Sequence, residues 1–168
     1  CAFSVAALQG GAASVANVDM AKGALREGMR NHDFNGLGRS NRAKFLAHDV
    51  FKTWGKIKKL GPYDVIICDP PSHQLGSFVA AKDYGKLVRR IPGLLDPKTG
   101  GRVLLCLNAP ELGASFLTDV VAGEAPQLEL VERLENPDGF AAADSDRSLK
   151  VFVYRLGPSG EGCEGGDA

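Results

Sequence analysis

The segment Tyr63 to Ser72, YDVIICDPPS, decides the fold. Its centre, Val65 to Cys68, is an unbroken apolar run rich in β-branched residues, the composition of a buried strand in a parallel sheet. Asp69 closes the run, and Pro70-Pro71 stop it because proline has no amide hydrogen to give to a ladder. Open α/β sheets bind ligands beyond the carboxyl ends of their strands. An acid followed by a stiff turn at such an end is therefore the first candidate site.

Two similar units precede this segment. Ser14–Asp19 (SVANVD) and Lys44–Asp49 (KFLAHD) are each short strands ending on an acid. The stretches around them read as helices: Ala2–Leu8 ending at Gly10-Gly11, Ala21–Phe34 with Leu25 and Met29 on one face, and Val50–Leu60 with a basic outer side. After the segment come a helix over Ala80–Leu95, bent at Pro92, a strand over Arg102–Leu107 and a helix over Glu111–Ala122. Two strand-like runs, Leu128–Leu134 and Leu149–Leu156, flank a polar loop. The order predicts an α/β fold: a Rossmann-like, doubly wound, mostly parallel sheet with a C-terminal antiparallel hairpin. One domain over residues 1–156 is expected, followed by a disordered Gly- and acid-rich tail over 157–168.

Composition narrows the function classes. Lys plus Arg and Asp plus Glu both number 20, so bulk charge names no partner and any nucleic-acid contact must come from a local basic patch. The hydrophobic share of 44% and charged share of 24% are those of an ordinary globular protein, and no apolar run is long enough to span a bilayer. Cys1, Cys68, Cys106 and Cys163 lack zinc spacing, and His32, His48 and His73 form no metal pattern, so no metal is expected. Unpaired cysteines favour a reducing, cytoplasmic setting, or an organelle if a transit peptide lies upstream.

The three strand-end acids are expected to share one rim. Asp19 can accept from both hydroxyls of a ribose, and Asp49 can accept from an adenine amino group while Val50 and Phe51 pack on the ring. Helix capping is the structural alternative for both. The Asp69-Pro70-Pro71-Ser72 turn presents a carboxylate and backbone carbonyls, already stiffened, to a planar amino-bearing group.

Together VDMAKGAL (18–25), FLAHDVF (45–51), YDVIICDPPSH (63–73) and GGRVLLCLNAPEL (100–112) resemble the class I S-adenosylmethionine-dependent methyltransferase domain of the large-subunit ribosomal RNA methyltransferases, a family of cytosine-C5 and guanine-N7 enzymes. The resemblance runs from Cys1 to about Leu156. It implies that Asp19, with Met20, binds the ribose of S-adenosylmethionine, that Asp49, Val50 and Phe51 bind its adenine end, and that Asp69 to Ser72 line the methyl-transfer site. Two departures stand out. The family places a strand, central in its sheet, before the helix at Ala2, and the chain does not contain it. Cytosine-C5 enzymes of the family carry a nucleophilic cysteine after the strand corresponding to Arg102–Leu107, where this chain has Asn108-Ala109-Pro110. Nitrogen methylation needs no covalent intermediate, so a nitrogen acceptor fits better, with Asn108 at a base edge.

The implied partner is RNA, with the target base flipped or single-stranded and Lys56, Lys58, Lys59, Lys82, Lys86, Arg89 and Arg90 available to phosphate. A nicotinamide dehydrogenase is disfavoured by the Asp-Pro-Pro turn. The other class of answer is a truncated, non-catalytic module of the same fold that binds RNA or a protein.

Overall fold

The computed structural model describes residues 1–38, 41–74, 78–140 and 143–158. The expected tail lies outside the described residues from position 159 onward. The chain divides into two units, residues 1–60 and 61–168.

In the first unit the order is α1 (Ala2–Gln9), β1 (Val15–Asp19), α2 (Lys22–Phe34), β2 (Ala43–Ala47), a single 3-10 turn (Val50–Lys52) and α3 (Trp54–Leu60). β1 and β2 are parallel, with Val15 opposite Ala43 and Asp19 opposite Ala47. The parallel crossover through α2 puts both carboxyl ends on one side. Leu8, Leu25 and Ile57 are buried, whereas Met29, expected beside Leu25, is 43% exposed. At Gly28 a Cβ would come within 2.4 Å of Cys1 Sγ, so the Cys1 side chain packs closely against α2 at this position. His32 is buried: its Nδ1 lies 2.8 Å from the Gly28 carbonyl, its Nε2 3.2 Å from Ser4 Oγ, and its ring meets Phe45 edge-on at 5.1 Å. It is a packed core histidine.

The expected helix over Val50–Leu60 is interrupted. Asp49 accepts from the Phe51 amide at 2.9 Å and caps the 3-10 turn, and α3 begins only at Trp54. The side-chain cap tightens the first residues into a turn that the helix does not absorb.

The second unit holds β3 (Val65–Cys68), the short antiparallel pair β4 (His73–Gln74) and β5 (Phe78–Val79), α4 (Ala80–Val88), β6 (Gly101–Leu107), α5 (Ser115–Glu124), β7 (Glu129–Leu134) and β8 (Lys150–Leu156). Its main sheet runs β3-β6-β8-β7. β3 is parallel to β6, and β8 is antiparallel to both β6 and β7, so the C-terminal hairpin forms as expected. Gly100 enters β6 at φ 72°, and a Cβ there would fall 2.0 Å from the Leu156 carbonyl oxygen; only glycine fits. Tyr84, Val88, Val103, Leu105, Leu117 and Val121 are fully or almost fully buried and form the core.

Three expectations are corrected here. The strand at Tyr63–Asp69 contracts to Val65–Cys68 and is not buried on both faces: Val65 and Ile67 are 58% and 39% exposed. Among the described residues β3 pairs only with β6, and exposure alternates along it although the sequence does not. The helix from Ala80 ends at Val88, short of Leu95: the Arg90 and Ile91 amides donate three residues back, to Leu87 and Val88, and Pro92 has no amide with which to continue. The β4–β5 pair, absent from the sequence reading, carries the chain from the Pro-Pro turn into α4. Among the described residues no helix is long and apolar enough to cross a membrane.

Candidate active site

Asp19 is the last residue of β1 and Asp49 lies two residues past the carboxyl end of the adjacent parallel strand β2. Asp19 Oδ1 accepts from the Ala21 amide at 2.7 Å, fixing the turn into α2. Its carboxylate is otherwise free of hydrogen bonds among the described residues and the residue is exposed. Asp49 Oδ1 accepts from Phe51, and Oδ2 lies 3.7 Å from Lys52 Nζ. In each acid Oδ1 orders its own turn; the second oxygen of Asp19 accepts from no described residue, and that of Asp49 faces Lys52. That acceptor set fits the diol and amino groups of a nucleoside, since both are donors and a carboxylate is a pure acceptor. Met20 is 47% exposed beside Asp19, and Val50 and Phe51 are half-buried beside Asp49.

Asp69, Pro70, Pro71, Ser72 and Asn108 come together in the second unit. In the β3–β6 register Cys68 lies opposite Leu105, so the Asp69 turn and the Asn108 loop leave the sheet as neighbours. Ser72 Oγ donates a hydrogen bond to the Asn108 carbonyl, joining the two loops directly. Ser72 also accepts from the Ala80 amide at 3.0 Å, which ties the Pro-Pro turn to the start of α4. Beneath them Tyr84, 0% exposed, donates from its hydroxyl to the Cys106 carbonyl at 2.9 Å. Its Oη also stands 3.5 Å from the Cys68 carbonyl, so one phenol sits between the ends of both strands. Asp69 and Asn108 are exposed, with their side chains available to a ligand.

Neither nearby cysteine is set up as a nucleophile. Burial pushes the Cys68 thiol up to about 12, with Cys106 and Asp69 adding to the effect. Burial, followed by Asp69, pushes Cys106 up to about 11. Both stay protonated near neutrality, and only the thiolate attacks carbon.

The basic residues do not form one free patch. Lys86 pairs with Asp83 at 2.7 Å, Arg89 makes a two-pronged pair with Glu124 at 2.5 and 2.8 Å, and Lys56 Nζ lies 2.9 Å from His48. Lys58, Lys59, Lys82 and Arg90 are exposed without an ion pair among the described residues. His73 sits in β4, exposed, at the edge of the Pro-Pro turn. Two residues passed over in the sequence matter here: Tyr84, and Lys150, which is completely buried. For Lys150 the signal was present, since in KVFVYRL it alternates in phase with the core residues Phe152 and Tyr154.

The S-adenosylmethionine-dependent methyltransferase family model matches residues 1–155. Ribosomal RNA large subunit methyltransferase I of Aeromonas hydrophila is 36% identical over 130 residues, covering 73% of this chain and 31% of that protein. Ribosomal RNA large subunit methyltransferase K/L of a Psychrobacter species is 36% identical over 96 residues, covering 54% of this chain and 12% of that protein. The chain therefore spans about a third or less of the length of these relatives. Among solved structures, a candidate methyltransferase complexed with S-adenosylhomocysteine superimposes with a TM-score of 0.81 at 28% identity, covering 92% of this chain and 42% of that one. The match extends through β1 and β2 with Asp19 and Asp49, and through β3 and β6 with Asp69 and Asn108; the chain belongs to the S-adenosylmethionine-dependent methyltransferase family.

Proposed function

We propose that this chain is the catalytic domain, over residues 1–156, of an enzyme that transfers the S-adenosylmethionine methyl group to a base of ribosomal RNA, with a nitrogen as the acceptor. The observation that carries the reading is the joining of the Asp69-Pro70-Pro71-Ser72 turn to the Asn108 loop through Ser72, with the neighbouring Cys68 and Cys106 thiols raised by burial and so protonated near neutrality. The names of the relatives support RNA as the substrate class. S-adenosylmethionine supplies a methyl group already activated by a sulfonium. What remains for the protein is alignment and, for an exocyclic amine, removal of a proton.

In this reading Asp19, with Met20, holds the ribose hydroxyls, and Asp49 accepts from the adenine amino group with Val50 and Phe51 against the ring. Asp69 and the Pro70 carbonyl accept from an amino group on the target base, fixing the nitrogen lone pair in line with the methyl carbon. Asn108 reads the base edge, donating and accepting in one plane. In the transfer the S–CH3 bond breaks as the N–CH3 bond forms; the sulfur keeps the electron pair, and the proton of an amine acceptor leaves to water or to Asp69. A base inside a helix cannot reach such a turn, so the target is flipped or unpaired. An enzyme on ribosomal RNA is expected in the compartment of ribosome assembly, the cytoplasm of a bacterium.

The test is to incubate the chain with unmodified ribosomal RNA and methyl-labelled S-adenosylmethionine, digest the RNA and identify the labelled nucleoside by mass spectrometry. A nitrogen-methylated nucleoside is expected. Label on carbon 5 of cytosine would overturn the nitrogen assignment, and cofactor binding without transfer to any RNA would favour the non-catalytic module.

A further inference from the structure

A lysine with no exposed surface is unusual, because removing an ammonium from water is unfavourable unless its protons find acceptors. Lys150, the first residue of β8, is such a residue, at 0% exposure. Its Nζ donates to the Ala109 carbonyl at 3.0 Å and to the Asp146 carbonyl at 2.9 Å. Neither partner is a carboxylate. The ammonium is met by two backbone oxygens, one on each of two loops, and burial lowers its pKa, with Asp146 as the strongest opposing influence.

The loops it joins are specific ones. Ala109 is itself fully buried and follows Asn108, whose carbonyl accepts from Ser72 of the Pro-Pro turn. Asp146 has a second tie to the same region: its Oδ1 accepts from the Ala114 amide at 2.6 Å, at the entrance to α5. Gly113 leaves room for that carboxylate, since a Cβ there would lie 2.7 Å from Asp146 Oδ2. The span from Asn108 to Ala114 is thus pinned at its start by Ser72, next to that by Lys150 and at its end by Asp146. The acceptor-side loop has little freedom left.

Resting on the nitrogen-methylation reading above, we propose that Lys150 is a positioning residue for methyl transfer. By holding the Ala109 carbonyl from below, its ammonium fixes the plane in which Asn108 meets the target base. It touches neither substrate nor cofactor. Methionine matches the length of the lysine stem but removes its charge and both donors, leaving the Ala109 carbonyl with the Leu112 amide alone, so a positioning residue and a structural strut differ in how far the damage spreads beyond the loop.

The experiment compares Lys150→Met and Lys150→Arg with the wild-type chain by thermal melting, by amide hydrogen exchange, and by methyl transfer from S-adenosylmethionine to ribosomal RNA. For Lys150→Met the melting temperature is expected to fall only modestly, because the Ala109 carbonyl keeps the Leu112 amide. Exchange is expected to quicken at least tenfold at the Leu112 and Ala114 amides, which bond to Ala109 and Asp146, while the β6–β8 ladder keeps its protection. The turnover number is expected to fall at least tenfold with KM for RNA within about threefold. Lys150→Arg, which keeps the charge and donors, is expected to recover part of the turnover. A melting temperature that falls together with ladder protection would make Lys150 a strut and overturn the proposal. Unchanged exchange at Leu112 and Ala114, or unchanged turnover, would overturn it too. If the wild type methylates no RNA, the functional reading fails on its own, and the exchange pattern still decides whether Lys150 holds the loop.

Discussion

In the proposed reading Asp19 is the residue on which cofactor binding turns. Its exposed carboxylate is already aimed by the Ala21 amide, so little ordering remains to be done when a diol arrives. A hydrogen bond to a charged group contributes about 1.5 to 3 kcal/mol, and a bidentate contact involves two. Asp19→Ala is therefore expected to weaken S-adenosylmethionine at least about a hundredfold. Asp69→Ala should behave differently, keeping cofactor affinity within a few fold while methyl transfer is lost; unchanged turnover would remove Asp69 from the chemistry. The thiols supply a control. With Cys68 raised to about 12 and Cys106 to about 11, both remain protonated at pH 7, and their pH-dependent reactivity should climb only toward those values. Cys68→Ala and Cys106→Ala are expected to keep methyl transfer, and alkylation by iodoacetamide at Cys68 and Cys106, followed by peptide mass, should accelerate only as pH passes about 10. A trapped covalent RNA adduct at either cysteine would contradict this.

At the scale of elements, two buried tyrosines in the second unit should respond in opposite ways to loss of a hydroxyl. Tyr84 joins α4 to the end of β6, and removing its donor leaves the buried Cys106 carbonyl short of a partner. Tyr84→Phe is expected to destabilise by about 1 to 3 kcal/mol. Tyr154 in β8 is 2% exposed, and its hydroxyl has no hydrogen-bond partner among the described residues. Tyr154→Phe should be neutral or slightly stabilising, and urea denaturation of the pair checks both signs. The sequence disclosed the strands well because their apolar runs and terminal acids are local signals. Asp19, Asp49 and Asp69 each lie at or just past the end of a strand, as read. It missed the β4–β5 pair, which has no periodicity to detect in two-residue strands. It overran α4, where local propensity from Ala80 to Leu87 continued on paper past the point where Pro92 forbids it. Tyr84 and Lys150 went unnoticed because their roles lie in what they touch across 22 and 41 residues of chain. Only the alternation in β8 hinted at one of them.

For the molecule as a whole, a formal net charge of zero means that any RNA binding would rest on a few unpaired cations. The ion pairs of Lys86 with Asp83 and Arg89 with Glu124 shrink the basic face of α4 from what its sequence suggests. Lys82 and Arg90 remain. Each phosphate contact to single-stranded RNA contributes about 0.7 to the slope of log affinity against log salt. Lys82→Gln with Arg90→Gln is expected to weaken RNA binding and flatten that slope by about 1.4 if both contact phosphate. A slope that does not change would mark them as solvated surface. The family match across residues 1–155 includes both units, with the proposed donor-holding acids in one and the acceptor loop in the other.

The most direct measurement is a calorimetric titration of S-adenosylmethionine into the chain and into its Asp19→Ala variant, with circular dichroism to confirm that both are folded. One-to-one binding by the wild type and none measurable by the variant is the expected result. Equal affinity in the two proteins, or a folded wild type that takes up no S-adenosylmethionine, would contradict the assignment of the strand-end carboxylates to the methyl donor.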